Sequence, residues 1–212
     1  PENRGVLAID YLLPFVQNCE YFLNTNDDMV FQKGFSDKLI KAIEKYYPCS
    51  VSLGLVENFA SNNDCVSVDI ELKNILDEVS TSSFQKRAAD GEYDRSHHIV
   101  GYNHPICVKR EDYLKVGGYS GDWDMDFYSG YGRDDMFPLL LKSSNKEFIF
   151  ITLKDVHVYH QSSATMRKLK KLNPELASQH NQDTFENKTK IPLYEFKEMI
   201  QIHSPYLDKQ YD

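Results

Sequence analysis

The chain has 212 residues, 41% of them hydrophobic, and a net charge of -8. That is enough apolar content for one domain with a substantial core, and the wrong sign for nonspecific binding to nucleic acid. No apolar run approaches the ~18 residues that span a bilayer and no signal-peptide pattern is seen at Pro1, so no integral membrane segment is expected within these residues. Cys19, Cys49, Cys65 and Cys107 are scattered with no CxxC pair, as thiols of a reducing compartment would be. The expectation is a soluble cytoplasmic protein, or one peripheral to a membrane.

In chain order, Pro1 to Gly5 leads into Val6, Leu7, Ile9, Leu12 and Leu13, a helical pattern that Pro14 should interrupt. Glu20 to Asn24 reads as a short strand running into the acidic loop Thr25-Asn26-Asp27-Asp28. Open α/β sheets place ligands outside the carboxyl ends of their strands, and hard divalent cations accept one or two carboxylates plus water and substrate phosphate. Asp28 is the expected metal ligand; an Asx turn is the plainer alternative. Phe35, Leu39, Ile40 and Ile43 share a helical face that ends before Pro48, and Val51 to Val56 reads as a buried strand. Neither of those two elements needs a function.

Residues 57–96 carry little signal: a polar loop over Asn58 to Asp64, a helical pattern from Ile70 to Val79, and a mixed-charge, solvated stretch from Arg87 to Arg95. A strand is expected within His97 to Val108, then a helix from Arg110 to Val116. His97, His98 and His104 match no strong zinc spacing and lack a cysteine pair.

The stretch from Gly117 to Gln161 is the most informative. Gly117-Gly118-Tyr119 is a glycine turn, and Trp123 stands among Asp122, Asp124 and Asp126, as a sugar platform would. An EF-hand reading of that acidic loop fails because its glycine and distal glutamate are out of place. Gly132-Arg133-Asp134-Asp135 delivers two carboxylates to a helix start, with Pro138 expected in an early helical position. An Asp N-cap worth ~1 kcal/mol is the simpler explanation of that pair. Glu147 to Thr152 and Val156 to Tyr159 are two strand-like runs, the second closed by His160-Gln161. His157 competes with His160 as a ligand, but alternation along a strand puts the two on opposite sides. Beyond them Arg167, Lys168, Lys170 and Lys171 form a basic run, either a solvated helix face or a lid covering a diphosphate.

The order of glycine turn, aromatic acidic loop, Gly-x-Asp-Asp and His-Gln resembles glycosyltransferases of the GT-A fold, particularly family 2 and the C-terminal region of the galactosyltransferases. Asp134 departs from the resemblance, since glutamate is commoner there. The resemblance implies an α/β fold with a Rossmann-like mixed sheet flanked by helices, covering residues 1–190, with 191–212 a peripheral helix and tail. It implies that the chain starts at the third helix of such a fold, the first βαβ unit being lost or lying in an upstream nucleotide-binding segment or subunit.

It implies Asp135 as general base, with Asp134, Trp123, Tyr119 and Gly118 on the acceptor side. Asn26-Asp27-Asp28 resembles the DxD motif, although Asn26 brings no charge. Asn26, Asp27, Asn3, Arg4 and Lys170 then fall on the donor side, and Asp28 and His160 hold Mn2+ or Mg2+. The implied activity is inverting transfer of a sugar from a nucleoside-diphosphate sugar to a hydroxyl of a glycan or glycoconjugate. Two alternatives stand beside it: a non-catalytic carbohydrate-binding or assembly module on the same fold, and a retaining transferase or sugar-nucleotide pyrophosphorylase relative.

Overall fold

A computed structural model describes residues 13–15, 17–26, 28–58, 66–68, 78–94, 105–119, 133–160, 183, 186–187, 190–192, 195 and 206–207, with the backbone alone at 58, 66–68, 78–80, 133–136 and 206–207. After a 3-10 turn at Leu13–Phe15 come β1 (Tyr21–Asn24), β2 (Met29–Phe31), α1 (Phe35–Tyr46), β3 (Cys49–Asn58), β4 (Val66–Val68), α2 (Glu78–Ala89), β5 (Ile106–Lys109), α3 (Arg110–Lys115), α4 (Arg133–Ser144), β6 (Ile149–His160) and β7 (Tyr206–Leu207). The fold is α/β, with a mixed sheet ordered β1-β5-β3-β6-β2; β4 pairs with β3, and β7 with β6. Among the described residues no helix is long and apolar enough to cross a membrane.

β3 and β6 run parallel, β5 runs antiparallel to β3, and β1 antiparallel to β5, so β1, β3 and β6 share one direction. β1 and β2 occupy opposite ends of the strand order, yet only residues 25–28 link them. In a flat sheet the four intervening spacings would cover about 19 Å, while five Cα steps reach roughly 18 Å even when fully extended. The sheet must therefore curl, and the link is drawn across the carboxyl ends of β3 and β6.

α1 forms because Leu39, Ala42 and Ile43 recur at helical spacing and are buried, while Lys41, Glu44 and Lys45 face solvent. It stops at Tyr47, which takes an extended conformation (φ -50°, ψ 136°), as the residue before a proline is pushed to do. Its apolar stripe packs on Cys49, Val51, Leu53, Cys107, Ile151, Leu153, Val156 and Val158. Full burial of a side chain such as Leu39 or Ile43 stabilises by about 1.5–3 kcal/mol. On the opposite face α3 and α4 bring Tyr113, Phe137 and Leu141 against Ile106, Val108 and Phe150, and α2 brings Phe84 and Ala88 against Val56 and Tyr159.

The two strand runs expected between Glu147 and Tyr159 are one strand with an irregularity. Leu53 pairs with Leu153, but Gly54 pairs with His157, leaving Lys154, Asp155 and Val156 as extra residues on β6. An odd insertion exchanges the two faces of a strand. The α1 side is accordingly lined by Ile151 and Leu153 before the irregularity and by Val156 and Val158 after it.

Other expectations need correction. The helix after β3 is seen at Glu78–Ala89, so Arg87 of the supposed solvated stretch is helical; the pattern from Ile70 to residue 77 lies outside the described residues. Pro138 is the sixth residue of α4 rather than an early one, and so removes an intrahelical bond to the Asp134 carbonyl. The closing stretch, expected as a peripheral helix and tail, contributes β7 alongside Thr152 and Leu153.

Candidate functional site

The carboxyl ends of β3 and β6 lie side by side, with Glu57 paired to His160 in the ladder and Met29 opposite His160 on its other side. Asp28 immediately precedes Met29, so the β1–β2 link sets it over the end of β6. Asp28 Oδ1 comes to 3.1 Å from His160 Nε2, and Asn26 Nδ2 to 3.4 Å from the same nitrogen. On the far side of the ring His160 Nδ1 is 2.6 Å from Glu57 Oε1. Three stretches far apart in the chain therefore meet around one imidazole that keeps a side-chain exposure of 17%.

The electrostatics follow from this arrangement. Burial disfavours the charged ring of His160, but its hydrogen bonds and charge interactions with Asp28 and Glu57 prevail and raise its pKa to about 9. The hydrogen bond from His160 holds the Asp28 carboxyl below the usual carboxylate range, against the opposing effect of burial. The site is thus one in which two carboxylates flank an imidazole, one at each ring nitrogen, and favour positive charge on it.

Whether these groups fit a metal is a question of donor chemistry. Two ligands about 2.1 Å from one ion and roughly at right angles stand about 3 Å apart, and Asp28 Oδ1 and His160 Nε2 are separated by such a distance. The amide of Asn26 offers an oxygen to the same point if its O and N are exchanged, an assignment that hydrogen-bond networks decide. No group of three or more His, Cys, Asp or Glu side chains among the described residues is arranged to hold a metal. Asp28 and His160 alone would supply only part of a cation's shell, and water or substrate oxygens would have to complete it. One imidazole and one carboxylate suit Mn2+ better than Mg2+, which prefers oxygen throughout.

The other expected site residues divide into three groups. Asp134 and Asp135 occupy the first turn of α4, whose backbone starts at Arg133; their side chains lie outside the described residues. Asn3, Arg4, Asp27, Trp123 and Lys170 lie outside them altogether. Gly118 and Tyr119 are described, and their placement has a structural cause. Gly117 and Gly118 have φ of 80° and 65°, which glycine adopts without penalty. The Gly118 N–H donates to the Tyr113 carbonyl and the Gly117 N–H to that of Leu114, the Schellman ending of α3. The turn sends Tyr119 back into the core, 5% exposed and stacked on Phe137 at 4.5 Å. Its ring is thus a core element, which corrects its expected place on an acceptor surface.

Glu57 was not singled out from the sequence, where β3 looked purely structural. The signal was present: it is the first ionisable residue after the apolar run Val51 to Val56, at the carboxyl end of a strand where ligands gather in α/β sheets. His157, the competing imidazole, pairs with Gly54 while His160 pairs with Glu57, so the two fall on opposite sides. No family model, curated protein or solved structure matches this chain.

Proposed function

We propose that the chain is a metal-dependent, inverting glycosyltransferase that moves a sugar from a nucleoside-diphosphate sugar to a hydroxyl acceptor. The observation that carries the reading is the approach of Asp28 Oδ1 to His160 Nε2 at 3.1 Å, at the strand ends where α/β sheets bind ligands. Asp28 and His160 would hold the metal, with Asn26 and Asp27 toward the donor and water. When bound, Mn2+ or Mg2+ supplies charge neutralisation on the departing nucleoside diphosphate.

Asp135, in the first turn of α4, takes the proton of the acceptor hydroxyl. The acceptor oxygen forms a bond to the anomeric carbon from the face opposite the diphosphate. The anomeric C–O bond breaks, and its electron pair leaves with the diphosphate. A positioned base of this kind contributes ~10²–10⁴-fold. Asp134 and Trp123 orient the acceptor, while Lys170 and its basic neighbours cover the donor and exclude water.

The test is release of nucleoside diphosphate from a panel of sugar nucleotides, with and without Mn2+. Metal-dependent release that is lost in Asp28→Asn and falls ~10²–10⁴-fold in Asp135→Asn, with donor binding intact in the latter, is the expected result. Glycan binding without metal-dependent release from any donor would make the chain a carbohydrate-binding module instead. Retention of anomeric configuration in the product would refute the inverting mechanism.

A further inference from the structure

The feature that the proposed chemistry leaves unused is Glu57. It sits at the end of β3, 103 positions before His160 in sequence, and its side chain is as enclosed as that of the histidine, at 16% exposure against 17%. The 2.6 Å contact from Glu57 Oε1 to His160 Nδ1 is short for a nitrogen–oxygen pair and falls on the ring nitrogen that faces away from Asp28 and Asn26. The adjacency is built into the ladder, because Glu57 and His160 are register partners on parallel strands. Displacing either residue would require β3 to slip on β6.

We propose that Glu57 is a positioning residue of the cation site: it accepts the Nδ1–H of His160, so that when a cation displaces a proton from the ring it is the Nε2 lone pair that is freed toward the point shared by Asp28 and Asn26. An imidazole can ligate through either nitrogen, and the hydrogen bond made by one decides which is free. A carboxylate behind the ring also fixes its orientation and increases the basicity of the ligating nitrogen, an arrangement whose loss typically costs 10–100-fold in metal affinity. A merely structural Glu57, holding β3 to β6, would affect stability and leave the choice of nitrogen untouched.

This inference rests on the reading of Asp28 and His160 as metal ligands, and the experiment separates the two. Mn2+ titrations followed by the electron paramagnetic resonance of the free ion would be run on the full chain and its Glu57→Ala and Glu57→Gln variants. Glu57→Ala is expected to bind Mn2+ 10–100-fold more weakly. Glu57→Gln, whose amide oxygen still accepts from Nδ1–H, should recover most of that loss. Equal affinity in the wild type and Glu57→Ala overturns the proposal, as does a Gln variant no better than Ala.

Absence of Mn2+ binding by the wild type would instead sink the metal reading itself. Glu57 then stands or falls on the nitrogen-15 shifts of His160, recorded at a pH above its titration. Nδ1–H in the wild type and a shift toward Nε2–H in Glu57→Ala supports the positioning role, and the same tautomer in both overturns it. Should Glu57→Ala fail to fold, Glu57→Gln and Glu57→Asp in the same measurements still decide, since a shortened carboxylate must loosen the ring if the contact positions it.

Discussion

His157 and His160 lie three residues apart on β6, and the strand delivers them to opposite surroundings. His157 is fully buried, with Tyr93 edge-on at 5.6 Å and the Asp94 carboxylate 4.0 Å from Nε2, beyond hydrogen-bond range. Burial pulls its pKa down, and Asp94 only partly offsets this. His160 reaches the strand end, where Asp28 and Glu57 grip both ring nitrogens. Residue type and strand are the same for both. What separates a core histidine from a candidate ligand is the number of carboxylates within bonding distance, and access to the loops beyond the sheet.

The sharpest way to break the comparison is to truncate each ring in turn. His160→Ala should lower metal-dependent transfer by about 10³-fold, since Lewis-acid stabilisation is worth several kcal/mol, while leaving the fold intact. Wild-type turnover in that variant would remove His160 from the chemistry. His157→Ala should do the reverse. It empties a packed site and is expected to cost about 2–4 kcal/mol of stability in urea unfolding, with turnover per folded molecule retained. A large loss of turnover with no loss of stability would show that His157 belongs to the site.

Which parts of this contrast could be read in the chain follows from where the information lies. α1, β1, β3 and α3 announce themselves through local periodicity and flanking Pro or Gly, and their observed limits fall within a few residues of expectation. The helical pattern read at Ile70 to Val79 overlaps only the start of α2, and the rest of α2 is not legible because its described buried residues reduce to Phe84 and Ala88, a stripe too thin to stand out from Lys86, Arg87 and their polar neighbours. The irregularity in β6 is a property of pairing with β3, so no local pattern at Lys154-Asp155-Val156 encodes it. Asp28 and His160 stood out because each is an ionisable group at the edge of an apolar segment. Glu57 satisfies the same description and was passed over for want of a matching motif. The Gly117-Gly118 turn shows the converse, since a motif that suggested a site is accounted for locally by the end of α3.

The comparison also predicts two pH limbs of opposite sign. A raised folded pKa means that His160 contributes stability fully below its unfolded value near 6.5 and loses it as pH climbs toward about 9. A lowered folded pKa means that His157 is tolerated above 6.5 and costs stability as pH falls below that value, because the unfolded chain takes up a proton that the folded one resists. In EDTA, His160→Gln should flatten the alkaline limb by roughly 3 kcal/mol, and His157→Phe the acid limb. If either substitution flattens the other limb, the two surroundings have been wrongly assigned.

The smallest expected effect concerns the irregularity that separates the two rings. Its central residue, Asp155, pairs with Lys38 of α1 at 3.1 Å, and the lysine side chain is 39% exposed. Pairs of that kind contribute about 0–1 kcal/mol. More robust constraints lie on either side: the β3 ladder before and after the extra residues, and the exchange in which the His157 N–H donates to Gln32 Oε1 at 2.8 Å while the Gln32 N–H donates to the His157 carbonyl at 3.0 Å. Lys38→Met should therefore shift the urea midpoint slightly and leave Mn2+ affinity unchanged. A fall in affinity beyond tenfold would mean that the ion pair, not the ladder, fixes which face each imidazole takes. Gln32→Ala should then be the milder of the two variants, the reverse of the order expected from backbone pairing.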